Sequence, residues 1–471
     1  MTRTHKIAGI LALVAVALLP VAAVAQGADT GTANFSRYVA IGDSLTAAFA
    51  SGGLVERYQL NSYPALIFQQ VNGTTSGFQQ PLVSEPGIPA LLGLQSLSPL
   101  VIGRVSAGQG QPNNLTLPRP YDNLAVPGAD VHDVLVTKTG GLFDLVLRPS
   151  AIPFTMLEQA LALDPTFVSV WIGNNDVLGA ATSGIVIDGV TLTTKAAFEA
   201  DFRTIVGALA GRDLAVATVP DVTAIPFVNT IPPVVLNPAT NEPVLVNGAP
   251  VFLIGPGGQL TPADKVLLSA STFLAQGIGV PPALGGTGQP LPDHVVLSGS
   301  EVAAISNRVN EINQVIRTVG NEAGAASVDV NAVFSLVAGE GYHLGGITFS
   351  TDFLTGGLFS YDGVHATQFG YAFVANLFLE AINAKYGANI EPVNLATYAF
   401  SPDILLPQGA DAPVQAMYSN AAQRQLWSST GVPSIEKLYK IKRSRELPRV
   451  PMPPRIPTDG APGGPAGGPL Q

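Results

Sequence analysis

Five short apolar stretches limit what this chain can fold into. They comprise residues 38–41, 123–126, 167–172, 214–219 and 327–330. None alternates cleanly between apolar and polar residues, and each is followed by a polar or Gly-rich turn. Strands of a parallel sheet have this pattern because both of their faces are buried. The sequence therefore predicts five buried parallel strands.

Helical patterns lie between these stretches. Residues 301–319 have the i, i+3, i+4 spacing of a helix with one buried face, carried by Val302, Ile305, Val309, Ile312, Ile316 and Val319. Phe198, Phe202, Ile205 and Leu209 repeat the pattern, and a final helix is predicted over residues 367–386, with Gly387 as its stop. Strands that alternate with helices predict a parallel sheet covered on both faces.

Two long segments interrupt this alternation, at about residues 52–120 and 223–298. Both are rich in Gly and Pro but also contain many Leu, Val, Ile and Phe residues. Such long loops in a compact domain are usually functional or disordered. In the second, Thr261 can cap a helix that has Pro262 in its first turn, Asp264 near its positive end, and an apolar continuation. A lid or acyl-binding wall and an inert packing arm are both open interpretations.

Both ends of the chain differ from its centre. Residues 1–25 have a basic start, an apolar run and an Ala-Val-Ala site before Gln26, which predicts a signal peptide; a membrane anchor is the alternative. The main folded domain is then residues 26–400, in a secreted or periplasmic protein. Residues 401–471 form an extension, predicted to be disordered from about residue 447, where Pro and Gly dominate. Basic residues between 437 and 449 suggest contact with an anionic envelope surface, or simply a solvated face.

Charge and cysteine content exclude several function classes. The formal net charge of the 471 residues is −10, which argues against nucleic acid as a partner because phosphate binding requires a basic surface. The chain has no cysteine, so disulfides, thiolate nucleophiles and Cys-based metal sites are excluded. No apolar run after the predicted signal peptide is long enough to span a membrane.

The most informative motif follows the first predicted strand. Tyr38-Val39-Ala40-Ile41 leads directly into Gly42-Asp43-Ser44. Ligands of parallel α/β sheets bind at the carboxyl ends of the strands, so Ser44 is expected at the site. A Gly-Asp-Ser sequence is common and by itself usually marks only a turn.

A second cluster, Asp362-Gly363-Val364-His365, lies near the end of the folded region. A serine hydroxyl is a weak nucleophile until a base takes its proton, and a carboxylate orients that base and stabilises its charged form. An Asp and a His three residues apart on a turn can contact each other. Asp362 and His365 are therefore candidate partners of Ser44.

Two further clusters can supply hydrogen-bond donors. Gly173-Asn174-Asn175-Asp176 ends the strand at residues 167–172, and an Asn amide suits the oxyanion that forms during acyl transfer. Gly128 follows the stretch at residues 123–126 and would allow a backbone N–H to approach a substrate closely. The alternative for the first cluster is a purely structural role, as an Asn-rich turn that caps a helix.

The four clusters, in this order, resemble the sequence blocks of the SGNH (GDSL) hydrolases over residues 37–386, outside the two long segments. The resemblance implies a three-layer α/β/α sandwich related to flavodoxin, with a mainly parallel five-stranded sheet. It implies that Ser44 is the nucleophile, that Asp362 and His365 complete the triad, and that Gly128 and Asn175 join the Ser44 N–H in an oxyanion hole. Asp43 and Asp176 would be supporting residues.

These features predict a secreted serine esterase or lipase whose substrate is a small-molecule or lipid ester. No cofactor or metal is expected, because His132, His294 and His343 are scattered along the chain. A carbohydrate O-deacetylase or an acyltransferase on the same fold is the alternative. A non-catalytic surface-binding module remains a third, from a different class.

Overall fold

A computed structural model describes residues 27–97, 100–399 and 417–418. The predicted signal peptide lies outside the described residues, as does the C-terminal extension except for residues 417–418. Export, the disordered tail and an envelope-binding basic region therefore stay predictions. No helix in the described ranges is long and apolar enough to cross a membrane.

Fifteen strands are present in the described ranges, many of them only two or three residues long. They are β1 Tyr38–Gly42, β2 Leu92–Leu97, β3 Leu100–Arg104, β4 Phe167–Trp171, β5 Asp213–Ala217, β6 Leu245–Val246, β7 Ala249–Pro250, β8 Ile254–Gly255, β9 Gly258–Gln259, β10 Lys265–Val266, β11 Val296–Leu297, β12 Ala326–Val328, β13 Tyr342–Leu344, β14 Ile347–Phe349 and β15 Met417–Tyr418.

Twelve α-helices accompany these strands in the described part of the chain. They are α1 Glu56–Gln59, α2 Tyr63–Asn72, α3 Asp133–Val136, α4 Leu142–Leu147, α5 Met156–Ala162, α6 Asn175–Ser183, α7 Lys195–Ala208, α8 Pro226–Asn229, α9 Ser271–Leu274, α10 Gly299–Glu322, α11 Val330–Glu340 and α12 Gln368–Tyr386.

The central sheet is parallel and has the order β1-β4-β5-β12. The prediction of five strands is wrong, because the stretch at residues 123–126 forms only an isolated parallel bridge between Asn123 and Ala40. It still runs along the free edge of β1, and the Val126 N–H donates to the Gly42 carbonyl at 3.1 Å. Pro127 follows, and proline has no N–H with which to continue the pairing. The sheet therefore ends at β1.

Alternate residues of each strand enter two different cores. Val168 and Val170 of β4 pack in a core with helices α3, α5, α6, α7 and α10, whereas Phe167 and Trp171 pack with α2, α11 and α12. Successive side chains of a strand point to opposite faces, so helices on both sides bury the whole strand. The predicted three-layer α/β/α sandwich is confirmed.

The helices predicted from periodicity are present, and their ends have local causes. Ser298 and Glu301 form a capping box that starts α10. Thr367 caps the start of α12, and Gly387, in the left-handed conformation, ends it. Helix α7 covers the pattern at Phe198, Phe202 and Ile205. These three helices cover the sheet on both faces.

The helix predicted to start at Thr261 is wrong. Asp264 accepts the Thr261 N–H at 2.7 Å, but the chain then extends into β10, and the only α-helical turn nearby is α9. Val266 pairs with Val296 in β11 and forms a further bridge to Ile231. Cross-strand pairing therefore overrides the local helix signals, as tertiary context often does.

Residues 52–120 include a helix that the sequence reading missed. Ser62 caps α2, Pro64 stands in its first turn and Gly73 ends it, which are ordinary start and stop signals. Tyr63 of α2 stacks on Phe378 of α12, with 4.4 Å between ring centroids. The same segment forms the β2–β3 hairpin, to which β15 adds in parallel. Part of the segment thus belongs to the main helical layer.

Candidate active site

Ser44 lies in a tight turn at the carboxyl end of β1 and is 4% exposed. The turn packs closely against β4. A Cβ atom at Gly42 would lie 2.1 Å from Thr46 Oγ1 and 2.6 Å from the carbonyl oxygen of Trp171. Only glycine allows this approach, so the Gly-Asp-Ser sequence fixes where the serine sits.

His365 and Asp362 extend from Ser44 in one hydrogen-bonded line. His365 Nε2 lies 2.9 Å from Ser44 Oγ, and His365 Nδ1 lies 2.9 Å from Asp362 Oδ2. All three residues are buried, and the ring of Phe49 packs against the imidazole with 4.8 Å between centroids. This is the arrangement in which a serine can pass its proton to an imidazole that a carboxylate orients.

The Asp362 carboxylate receives five donors. Oδ1 accepts the backbone N–H groups of His365 at 2.8 Å and Val364 at 2.9 Å, and the Ser360 hydroxyl at 3.3 Å. Oδ2 accepts the Gly52 N–H at 2.9 Å in addition to His365 Nδ1. Hydrogen bonds to the charged form favour ionisation. These donors therefore stabilise a buried negative charge on Asp362.

The pKa of Asp362 is consistent with its five hydrogen-bond donors. Burial alone would raise the pKa of Asp362, but the neighbouring imidazole, its hydrogen bond and the backbone N–H groups of His365 and Val364 hold the pKa below its ordinary value. A carboxylate in this state can fix the imidazole with its Nδ1–H towards Asp362, which leaves Nε2 free to take a proton from Ser44.

One side of this carboxylate is supported by the start of the first long segment. Ser51 and Gly52 both have positive φ, and the Ser51 N–H donates to the Ser360 hydroxyl at 2.8 Å. The turn is anchored to the hairpin, since the Leu92 N–H donates to the Ser51 carbonyl at 2.6 Å and Arg104 Nη1 donates to the Gly52 carbonyl at 3.4 Å. The first long segment, residues 52–120, thus contacts Asp362 directly through the Gly52 N–H.

Asp43 is fully buried beside Ser44 and is joined to the Gly-x-Asn-Asp motif. Its Oδ2 accepts Asn174 Nδ2 at 2.8 Å and its Oδ1 accepts the Leu45 N–H at 3.0 Å. Burial raises the pKa of Asp43 to about 6, while the hydrogen bonds from Asn174 and Leu45 limit the rise. Asp43 therefore links the serine turn to the start of α6.

Asn175 and Gly128, the two predicted oxyanion donors besides Ser44, are brought together through Ala129. Asn175 Nδ2 donates to the Ala129 carbonyl at 2.9 Å, and Gly128 turns the chain with a φ of 89°. An Asn amide has two N–H groups, so this bond leaves one of them for another acceptor. The next residue, Asp176, accepts the Val131 N–H at 3.0 Å and is also buried.

The site contains residues that the sequence reading missed: Ser51, Gly52, Asn174 and Ser360. Asn174 stands inside the Gly-x-Asn-Asp motif and Ser360 stands two residues before Asp362, so proximity to the motifs was an available signal for both. Ser51 and Gly52 contact partners about 310 residues away along the chain. No local pattern could indicate that contact.

The other histidines have separate surroundings. His132 Nδ1 lies 3.0 Å from Asp201 Oδ2, and His343 Nδ1 lies 2.9 Å from the Thr348 hydroxyl across the β13–β14 hairpin. Among the described residues, no group of three or more His, Asp or Glu side chains is arranged to hold a metal ion.

A parallel sheet with Ser, His and Asp aligned at its carboxyl edge has the arrangement of a serine hydrolase on an α/β fold. The sequence matches the model of the GDSL-like lipase/acylhydrolase family over residues 38–378. The chain belongs to this family, as the four sequence blocks predicted. At the level of class it is an ester hydrolase.

Several solved structures resemble the chain weakly. A variant of an acetyl xylan esterase from Geobacillus stearothermophilus is 16% identical, with 77% of this chain and 98% of that chain covered and a TM-score of 0.35. An α/β hydrolase from the metagenome of Lake Arreo is 15% identical, covering 74% and 96%, with a TM-score of 0.34. A lipase/acylhydrolase from Enterococcus faecalis is 13% identical, covering 76% and 100%, with a TM-score of 0.31. No curated protein sequence matches significantly.

Proposed function

We propose that this protein is an exported serine esterase that hydrolyses carboxylic esters of apolar acyl groups through an acyl-serine intermediate. The observation that carries the proposal is the buried line from Ser44 Oγ to His365 to Asp362, with 2.9 Å at each step. Export rests on the predicted signal peptide over residues 1–25.

In the first half-reaction, Ser44 Oγ attacks the ester carbonyl while His365 Nε2 takes the hydroxyl proton. The negative charge that develops on the carbonyl oxygen is stabilised by the Ser44 N–H, the Gly128 N–H and the Asn175 amide. The C–O bond to the alcohol then breaks, and His365 returns the proton to the leaving oxygen. The product is an acyl-Ser44 ester and a free alcohol.

In the second half-reaction, a water molecule attacks the acyl-Ser44 carbonyl. His365 takes a proton from this water and later returns it to Ser44 Oγ. The acyl group leaves as a carboxylic acid and the serine is regenerated. Asp362 stays ionised throughout and stabilises the imidazolium that forms in each half, which its donor-rich surroundings support.

Preference for an apolar acyl group is supported by a cavity of about 100 Å³ whose lining includes chain neighbours of Ser44 and His365. These are Leu45, Val364 and Ala366, while Phe334 of α11 and Phe373 of α12 form part of its wall. The lining is almost entirely apolar, so the cavity suits a hydrocarbon group better than a polar one.

The proposal is tested with p-nitrophenyl esters of increasing acyl length. We expect Ser44→Ala and His365→Ala to abolish hydrolysis while circular dichroism shows an intact fold, and we expect the wild-type enzyme to prefer butyrate or octanoate over acetate. Full activity in either variant contradicts the triad assignment. A strong preference for acetate contradicts the acyl preference and favours the carbohydrate O-deacetylase alternative.

A further inference from the structure

The loop that carries Gly128 is held to helix α6 by two neighbouring side chains. Asn175 donates to the Ala129 carbonyl at 2.9 Å, and Asp176 Oδ2 accepts the Val131 N–H at 3.0 Å. The two contacts lie on adjacent residues of the helix and two residues apart on the loop. Movement of the loop away from α6 would therefore displace Gly128 and Asn175 relative to each other.

Asp176 is an unusual anchor because its second oxygen lacks a donor. The residue is 1% exposed, and within the described residues its Oδ1 atom is buried and makes no hydrogen bond. An ionised carboxylate in this place would be a buried charge with one N–H donor, which is costly. A neutral carboxylic acid needs fewer donors and supplies a proton of its own.

The neighbouring charges on the loop add to this cost. Asp130 directly precedes Val131, and its Oδ1 accepts the Asp133 N–H at 2.9 Å. A second carboxylate thus lies on the same loop as the anchor. Basic side chains on the elements around α6 contact other carboxylates. His132 lies 3.0 Å from Asp201 and offsets part of the rise in the pKa of Asp130, and Arg308 of α10 pairs with Asp188 at 3.0 Å and Glu311 at 2.8 Å.

The shift in the pKa of Asp176 also favours the neutral acid. Burial, then the charge of Asp130, raise the pKa of Asp176 well above its ordinary value, while the Val131 N–H and the nearby Thr193 hydroxyl offset part of the rise. Burial and Asp133 raise the pKa of Asp130 to about 6. Both carboxyls therefore favour the neutral form more than an ordinary aspartate does, and Asp176 does so where its buried Oδ1 has no donor.

We propose that Asp176 is a positioning residue that acts as a neutral carboxylic acid, holding the Gly128 loop against Asn175 so that the oxyanion hole stays formed. This inference rests on the proposed function. When the acid ionises, repulsion from Asp130 and the missing donor at Oδ1 loosen the loop, and catalysis declines while substrate binding is retained.

The test compares Asp176→Asn, Asp176→Ala and Asp130→Asn. An Asn amide can accept the Val131 N–H as the neutral acid does, so we expect Asp176→Asn to retain at least about a third of wild-type kcat at neutral pH. In wild type, kcat should decline at alkaline pH as Asp176 ionises, and Asp176→Asn should not show this decline. Asp176→Ala removes the anchor and should lower kcat about 10- to 100-fold with little change in KM, somewhat less than the loss of an oxyanion donor itself. Asp130→Asn removes the charge that raises the pKa of Asp176 and that repels its ionised form. The decline of kcat at alkaline pH should therefore begin at lower pH and be smaller than in wild type.

Stability gives a second readout, because the unfolded chain ionises at the ordinary carboxyl pKa of about 4 whereas the folded one does not. The stabilising contribution of the neutral acid is thus present at low pH and is lost as pH rises towards the raised folded pKa. The melting temperature of Asp176→Asn relative to wild type should therefore increase between pH 5 and pH 9. Asp122→Asn, at a buried aspartate paired with Arg119, is the matched control and should leave the pH profile of kcat unchanged.

Infrared spectroscopy tests the protonation without any activity. The wild-type protein at neutral pH should show the carbonyl stretch of a protonated carboxylic acid, and Asp176→Asn should lack it. Absence of this band, or a loss of kcat in Asp176→Asn as large as in Asp176→Ala, overturns the inference. A wild-type protein that hydrolyses no ester but shows the band contradicts the proposed function instead.

Discussion

Asp362 and Asp176 are both almost completely buried, yet the protein surrounds them differently. Asp362 receives five hydrogen bonds and lies against an imidazole, and its pKa is held below the ordinary value. Asp176 receives one backbone N–H, lies near the Thr193 hydroxyl and Asp130, and its pKa is raised. The donors and the neighbouring charges, rather than burial alone, decide the direction in which each carboxyl pKa is shifted.

The difference matches what each position has to do. In the proposed mechanism, Asp362 orients a base that becomes positively charged, and a carboxylate stabilises that charge. Asp176 lies beside the Gly128 loop, the proposed oxyanion hole, where a negative charge would oppose the oxyanion on the substrate. The two environments therefore favour negative charge on Asp362 and disfavour it on Asp176.

The largest effect is expected from one substitution made at both positions. Asp362→Asn removes the negative charge and favours the wrong imidazole tautomer, so we expect kcat to fall about 10³- to 10⁴-fold. Asp176→Asn, the same change at the other carboxyl, should lose little activity. Steady-state kinetics on a p-nitrophenyl ester measure both, with Asp352→Asn at an exposed aspartate as the control. Equal losses of kcat at the two positions would contradict the proposal that Asp362 and Asp176 differ in protonation state.

A smaller effect is expected when one of the five donors is removed. Ser360→Ala deletes the hydroxyl that donates to Asp362 and leaves the Ser51 N–H without its acceptor. The acceptor is charged but the bond is long at 3.3 Å, so we expect its loss to cost about 0.5–1.5 kcal/mol and kcat to fall about 2- to 10-fold. Ser350→Ala, at a half-buried serine that bonds to Asp352, is the matched control. An unchanged kcat in Ser360→Ala would show that the other four donors suffice.

The sequence predicted the layers and the four central strands because those depend on local patterns. The buried strand at residues 167–172 and the helix around Val309 each follow from periodicity within a short window. The edge strand and the helix at Thr261 were wrong because neighbours outside the window decide them. Pro127 stops pairing on one side of β1, and Val266 finds a partner in Val296.

The candidate site divides in the same way. Ser44, Asp362 and His365 could be named because each lies in a short motif with a chemical reason for its residue types, and the structure places them in contact. Their catalytic roles stay predictions. The support from Ser51 and Gly52 depends on a turn with positive φ that meets residues about 310 positions away. Such contacts arise from the folded chain and carry no local signature.

The most direct measurement of the central claim is labelling of the intact protein with a fluorophosphonate probe, followed by peptide mass spectrometry. The probe reacts with an activated serine and forms a covalent Oγ–phosphorus bond. We expect the adduct on Ser44, strongly reduced labelling in His365→Ala, and none in Ser44→Ala. A folded wild-type protein that is not labelled, or is labelled at another serine, would contradict the assignment of Ser44 as the nucleophile of a serine esterase.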